Sequence, residues 1–393
     1  MRHFGTVVRG VRMPVIKEGD NIVDVVCSNL FSALDEEGVI VHDKDVIGIT
    51  ESVVARAQGN YCTANDFSLD VRNKMGSGTV GLIFPILSRN RFLEMLKAIA
   101  KGVDELVVML SYPSDEVGNP ITDYDALDSK NVNPYTDVFT EEEFRELFGP
   151  ELIHPFTKTD YVKLYHEANP NIRIIFGNQA TQILKYTNKV ICADIHTRFR
   201  SKRLLKEAGA SIVLGLDDLM TSPVNGSGFN SKYGVLGSNY ASDGRIKLFP
   251  RDSEETVLDI QRRFKEKYGK LVEVFIYGDG AFKDPYGKIW ELADPVVSPF
   301  FTSGLIGLPN ELKFKLLADT KFANLSGDDA IEAMRKFISE NKSMTQDAHN
   351  SLGTTPRNLT DLLGSLCDLT SGSGDKGTPV VYIQGYFDDY SKE

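Results

Sequence analysis

The chain has 393 residues, 41% of them hydrophobic and 25% charged, with a formal net charge of −11. That length can bury more than one packed unit, and the composition is that of an ordinary globular protein. The acid excess argues against non-specific binding to nucleic acid or to an anionic membrane, and no apolar run is long enough to span a bilayer. The first residues, MRHFGTVVRGVRMPVIKEGD, carry charges where a secretion signal needs an apolar core. Cys27, Cys62, Cys192 and Cys367 are scattered with no CxxC pair, and the histidines show no metal-ligand spacing. These cysteines read as free, mostly buried thiols of a cytoplasmic protein.

Strand and helix signals alternate along the chain. NIVDVVCSNLFSAL (Asn21–Leu34) has helical spacing, and DVIGITESVVARAQG (Asp45–Gly59) reads as a strand running into a helix. TVGLIFPI follows as a strand. NRFLEMLKAIAKG is a helix with Asn90 as N-cap and Gly102 as its stop, and DELVVML is a strand again. Residues 112–160 are polar, rich in Pro, Asp and Asn and without clear period; they read as a long excursion or lid. IRIIFG and KVICADI restore the strand signal, then SKRLLKEAGA gives a helix and SIVLGL a strand. A glycine-rich stretch, SPVNGSGFNSKYGVLGSNYASDG, precedes the clearest helix–strand unit, SEETVLDIQRRFKEKYGK with LVEVFIYGDG. Its strand ends at Gly278, which puts Asp279 just past the carboxyl end of a buried strand, a usual place for ligand-binding residues in open sheets. Near the end, NLTDLLGSLCDLT reads as a helix, SGSGDKGTP (Ser371–Pro379) as a glycine loop and PVVYIQG as a strand.

That last loop runs from helix to strand, the reverse of Walker and dinucleotide loops, which place the helix N-terminus against phosphate. A nest of backbone N–H groups around Lys376 is one reading, and a plain connector is the other. GSGTVG (Gly76–Gly81) fits the dinucleotide pattern by letters but runs into a strand, so it is set aside. The basic run HTRFRSKR (His196–Arg203) reads either as a solvated helix start or as a contact for carboxylate or phosphate.

Four pieces stand in order: MPVIKEGDNI, DVIGITESVVARAQG, GVLGSN with the strand end FIYGDG, and SGSGDKGTPVVYIQG. Together they resemble the coenzyme F420-0:L-glutamate ligase family, across roughly residues 10–60 and 234–387. The resemblance implies an α+β (mixed α/β) fold of mixed sheets with helices. It implies a ligase-like core in residues 1–60 and 234–393, with residues 61–233 as an expanded middle region that shapes the acceptor site. Carried over by position, guanine-nucleotide contacts fall on Met13, Pro14, Val15, Ile16, Glu51, Ser52, Arg56 and Asn239. They continue through Ser371, Gly372, Ser373, Gly374, Asp375, Lys376, Gly377 and Thr378. Arg56 stands where the family has lysine, so the charge is kept; Arg56 and Lys376 are the expected phosphate-binding, catalytic cations.

The metal positions depart from the family. Leu236 stands where a metal-binding Asp is expected, Gly280 replaces a Thr, and Ser373 replaces an acidic or amide residue. Asp279 is kept. Mg2+ or Mn2+ would then be held by Asp279 with replacement acids such as Asp243 and Asp284. The resemblance further implies a homodimer with small-molecule substrates: a carboxylate acceptor and L-glutamate, joined through an acyl phosphate made with GTP. His196, Arg198 and Arg200 are the candidate holders of a carboxylate substrate. A folate-type polyglutamate ligase and a catalytically altered nucleotide-binding paralogue are the alternatives.

Overall fold

The computed structural model describes residues 4–89, 91–241, 244–251, 253–278, 300–308, 314–340, 358–371 and 377–388. In chain order the first elements are β1 (Val7–Val11), α1 (Ile22–Glu36), β2 (Val46–Thr50), α2 (Glu51–Ala57), β3 (Tyr61–Thr63) and α3 (Ala64–Met75). Asn21 caps α1 by accepting from the N–H groups of Val23 and Asp24, and Thr63 with Asp66 forms a capping box on α3. Next come β4 (Thr79–Ile83), α4 (Leu93–Gly102), β5 (Glu105–Leu110), α5 (Tyr124–Ser129), β6 (Phe139–Thr140), α6 (Glu141–Phe148), α7 (Tyr161–His166) and β7 (Ile172–Phe176). β8 (Lys189–Cys192), α8 (Arg198–Glu207), β9 (Ile212–Gly215), β10 (Asn239–Tyr240) and β11 (Arg245–Lys247) follow. The last are α9 (Glu254–Tyr268), β12 (Glu273–Tyr277), β13 (Phe300–Phe301), α10 (Phe314–Asp319), α11 (Gly327–Glu340), α12 (Leu359–Ser371) and β14 (Val380–Gln384). Gly269 ends α9 in the left-handed conformation at φ +67°.

The strands make three sheets, so the fold is α+β. The first has the order β1-β14-β2-β12-β13. β2 and β12 run parallel, from Val46 opposite Glu273 to Thr50 opposite Tyr277, and both carboxyl ends emerge together. β14 runs antiparallel to β2 with Val380 opposite Ile49, so it enters the sheet at that same end. All three strands are apolar on both faces because both faces are covered. Ile47, Ile49, Val274 and Ile276 pack beneath α1 and α9, against Val26, Leu30, Ile260 and Phe264. Val46, Phe275 and Val381 turn to α12, against Leu363 and Cys367. Gly48 lies on this second side, and a Cβ there would meet Cys367 Sγ at 2.4 Å. At the opposite end of the sheet, buried Asp45 accepts from the Tyr382 hydroxyl at 2.6 Å and from Gln384 Nε2 at 3.2 Å. Burial, and then the bond to Asp45, push the Tyr382 phenol well above its ordinary range.

The second sheet is short, β10-β11-β3. The third has the order β6-β7-β5-β4-β8-β9, with β7, β5, β4, β8 and β9 all parallel. The polar stretch 112–160 packs on this third sheet instead of standing off as a lid. It contributes Tyr112, Val117, Leu127 and Phe144 to the core, with Phe144 stacked on Phe176 at 3.8 Å. α4 starts at Leu93 with Phe92 in the cap position; Asn90 lies outside the described residues.

All four cysteines are free and buried. Burial is the leading cause that raises each thiol, Cys27 to about 11 and Cys62 to about 12. A thiol reagent at neutral pH should therefore react with none of them in the native state and with all four in denaturant. Rapid reaction of one cysteine before unfolding would contradict this packing.

Candidate active site

The end of the first sheet where β2 and β12 finish gathers the motifs read from the sequence. The turn Met13–Ile16 is held there by its neighbours: the Met13 N–H donates to the Gly377 carbonyl at 2.9 Å, and Ile16 is buried while Pro14 and Val15 face solvent. The Thr50 N–H donates to the Pro379 carbonyl at 3.0 Å, which ties the exit of the glycine loop to the end of β2. The loop's neck is closed by Thr378, whose Oγ1 donates to the Ser371 carbonyl at 2.9 Å. Gly377 sits at φ +64°, a backbone state that favours glycine. Gly372, Ser373, Gly374, Asp375 and Lys376 lie between these fixed ends, outside the described residues, as do Asp243, Asp279 and Asp284. Gly278, the last described residue before Asp279, follows the β12 residue that is paired with Thr50.

A cleft of about 330 Å3 opens beside this junction. Ser52 and Arg56, one turn apart on α2, form one wall. β11 forms the opposite wall with Arg245 and Lys247, which share a face because they are two residues apart in a strand. Tyr61 and Asn239 each lie directly across from Lys247, on β3 and β10, and complete that face. Lys17 and Glu18 close the cleft from the turn after β1. This turn is pinned in place: the Gly19 N–H donates to the Ala57 carbonyl at 2.9 Å, and Glu18 packs against Gly59.

The electrostatics are one-sided. Among the described residues lining the cleft, Lys17, Arg56, Arg245 and Lys247 stand with one acid, Glu18, in a protein of net charge −11, and the Lys247 charge is balanced by Glu51 behind the wall. Arg245 bonds Glu18 at 3.2 Å and lies over the Tyr61 ring at 4.2 Å, which fixes its fork. Lys247 is buried and bonds Glu51 Oε1 at 2.8 Å, with Glu51 equally buried at the start of α2. Arg56 and Lys17 are exposed, and no hydrogen bond or ion pair is found on either side chain among the described residues. Such a cleft concentrates anions.

Ser52, Arg56 and Asn239 thus share one cleft, with Glu51 directly behind it. The basic run at residue 196 lies elsewhere, at the end of β8. There Arg198 turns inward and pairs with Asp217 at 3.0 Å, while His196 and Arg200 are exposed. Lys17, Glu18, Tyr61, Arg245 and Lys247 were not singled out by sequence reasoning. The period-2 pair in GRIK was a readable signal, but a three-residue strand is too short to announce itself. Buried Asn60 was missed too. It anchors the chain just ahead of Tyr61 by donating to the Phe249 and Phe229 carbonyls and accepting from the Phe229 N–H and Arg251.

Among the described residues, no group of three or more His, Cys, Asp or Glu side chains could hold a metal, and no helix is long and apolar enough to cross a membrane. Leu236, at the position of an expected metal ligand, lines an apolar crevice instead.

Fold and cleft together describe an α+β protein with a cationic site at the ends of its parallel strands. The chain belongs to the F420-0:gamma-glutamyl ligase family, a family of ligases whose model matches residues 10–385. The match runs on through residues 61–233, where the sequence motifs are absent. No curated protein sequence matches the chain.

Replacing Lys247 by Met should break its buried pair with Glu51 and cost about 3 kcal/mol in denaturant unfolding. Arg56→Ala, at the exposed wall of the same cleft, should change stability by less than about 0.5 kcal/mol. Equal effects from the two substitutions would contradict the division between a buried anchor and an open cation.

Proposed function

We propose that the protein is a GTP-dependent ligase that joins L-glutamate to a small carboxylate acceptor, and that the cationic cleft is its nucleotide site. The observation that carries this reading is the convergence of Lys17, Arg56, Arg245 and Lys247 beside Ser52 and Asn239 in one cleft. The exposed cations Arg56 and Lys17 neutralise phosphate charge, a role also assigned to Lys376 of the glycine loop, whose neck is fixed at Gly377 and Thr378. The turn Met13–Ile16 and the amides of the loop hold the rest of the nucleotide. One oxygen of the acceptor carboxylate attacks the γ-phosphorus, the bond to the β-phosphate oxygen breaks, and GDP leaves an acyl phosphate. The amine of glutamate then attacks the acyl carbon, phosphate departs, and the amine gives up a proton as the amide forms. Fixed cations around the transferring group stabilise the charge without reorganisation at the moment of transfer.

A divalent cation, Mg2+ or Mn2+, would offset further phosphate charge when bound, and Asp279 with Asp243 or Asp284 are the residues assigned to it. Those acids lie outside the described residues, and no step above is routed through the ion. A second reading, an altered nucleotide-binding paralogue, is favoured by one observation: the apolar side chain of Leu236 where the family places a metal ligand. A homodimer in the cytoplasm completes the proposal.

Arg56→Ala and Lys376→Ala should each weaken GTP binding by roughly 1.5–3 kcal/mol, with little change in the melting temperature of the unliganded protein. Calorimetric titration of GTP into each variant checks this, and unchanged affinity in both would remove the cleft from consideration. Asp279→Asn should abolish metal-dependent turnover while leaving the fold intact. GTP binding that is indifferent to Mg2+ and Mn2+ in the parent protein would favour the paralogue.

A further inference from the structure

The third sheet has a topological switch point. From β4 the chain leaves through α4 on one face of the sheet, and from β8 it leaves through α8 on the other. The loops after these neighbouring strands therefore part, and in open parallel sheets ligands bind in the crevice so formed. A crevice is present at that place. Ile86 and Phe92 wall it from the β4 side, Ala193 and Ile195 from the β8 side, and Leu236 closes it; Arg91 is the one charged side chain among the described residues lining it. The loop after β4 is held open by Tyr165, whose hydroxyl donates to the Ile86 carbonyl at 2.6 Å and accepts from the Ser88 N–H at 2.9 Å.

An acidic group already sits beside the crevice. Glu116 Oε1 accepts from the His196 N–H at 3.0 Å and from the Ile195 N–H, and Thr197 Oγ1 donates to Oε2 at 3.4 Å. Asp115 fixes the loop that carries Glu116 by accepting from the N–H groups of Leu87, Val117 and Asn119. The same turn contains Asp194, fully buried, whose Oδ2 accepts from Thr197 and Ser201 while Oδ1 has no hydrogen bond among the described residues. The crevice is narrow, about 20 Å3, room for a water molecule. Entry of a ring therefore requires the half-buried Leu236 side chain to turn aside.

Val235 through Ser238 line this crevice, and the next residue, Asn239, lines the cationic cleft. One short segment thus separates the two spaces. We propose that the switch-point crevice is a second binding site, for the acceptor: a small planar, largely apolar compound whose acidic group replaces the Glu116 carboxylate on the amides of Ile195 and His196. Only the word acceptor rests on the ligase reading; the site itself stands on the sheet topology, the crevice and the Glu116 clasp.

Anilinonaphthalene sulfonate, a planar apolar anion, is the probe, titrated by fluorescence into the full chain. Saturable binding at one site is expected. Glu116→Ala should tighten it about threefold or more by vacating the amides, and Leu236→Trp should weaken it about tenfold by filling the crevice. F420-0 should displace the dye, and Arg56→Ala should leave the dye titration unchanged. Melting curves confirm that both crevice variants are folded. Dye affinity within about twofold of the parent in Leu236→Trp, or weaker binding in Glu116→Ala, overturns the site. Failure of F420-0 to displace the dye overturns its assignment to the acceptor. Loss of GTP binding is read in a separate titration and bears on the nucleotide cleft alone.

Discussion

The buried pair between Lys247 and Glu51 joins the two halves of the cleft. Glu51 opens α2 where β2 ends, in the large mixed sheet, and Lys247 closes β11 in the short sheet. A charge pair removed from water is a weak source of net stability, because desolvation offsets most of the attraction. Its value here is positional. With Lys247 drawn onto Glu51, Arg245 on the same strand face is brought opposite Arg56, and like charges that would repel are held across a common space. Arg245 is steadied in turn by Glu18 and the Tyr61 ring.

The backbone around the cleft follows from the same junction. Parallel β2 and β12 end together, antiparallel β14 begins beside them, and β1 ends next to the start of β14. Hydrogen bonds tie these segments together, from Met13 to Gly377 and from Thr50 to Pro379. Motifs that lie hundreds of residues apart in the chain become neighbours for this reason. The third sheet obeys the opposite logic: all its long strands are parallel, and its connections separate at the switch point instead of converging. One chain therefore carries two sites of different character, a cationic cleft where connections meet and an apolar crevice where they part.

Much of the fold was legible in the residues. VIGIT, EVFIY and VVYIQ are β-branched or aromatic at all but one position each, a composition typical of strands covered on both faces. The capped helices α1 and α9 carried their apolar spacing openly. The order of strands was not legible, because pairing partners are chosen by tertiary packing, and the switch point exists only once β4 is known to lie between β5 and β8. The middle excursion looked like a lid because its core residues, Tyr112, Val117 and Phe144, are spaced by turns and not by any period. In the cleft, Ser52, Arg56 and Asn239 could be found through family resemblance. Lys17, Arg245 and Lys247 could not, since a short strand leaves too little pattern. Arg198 shows the reverse: a basic run gives no sign of which side chain will turn inward, here to Asp217.

The central claim, that the nucleotide binds where β2, α2 and β11 meet, is tested most directly by photocrosslinking with an azido-substituted GTP and mapping the modified peptides. The account predicts label on peptides containing Met13–Lys17, Ser52–Tyr61 or Asn239–Lys247, suppressed by excess GTP. Label confined to the peptides around Ile86–Phe92 or Ala193–Arg198, at the switch point, would contradict it.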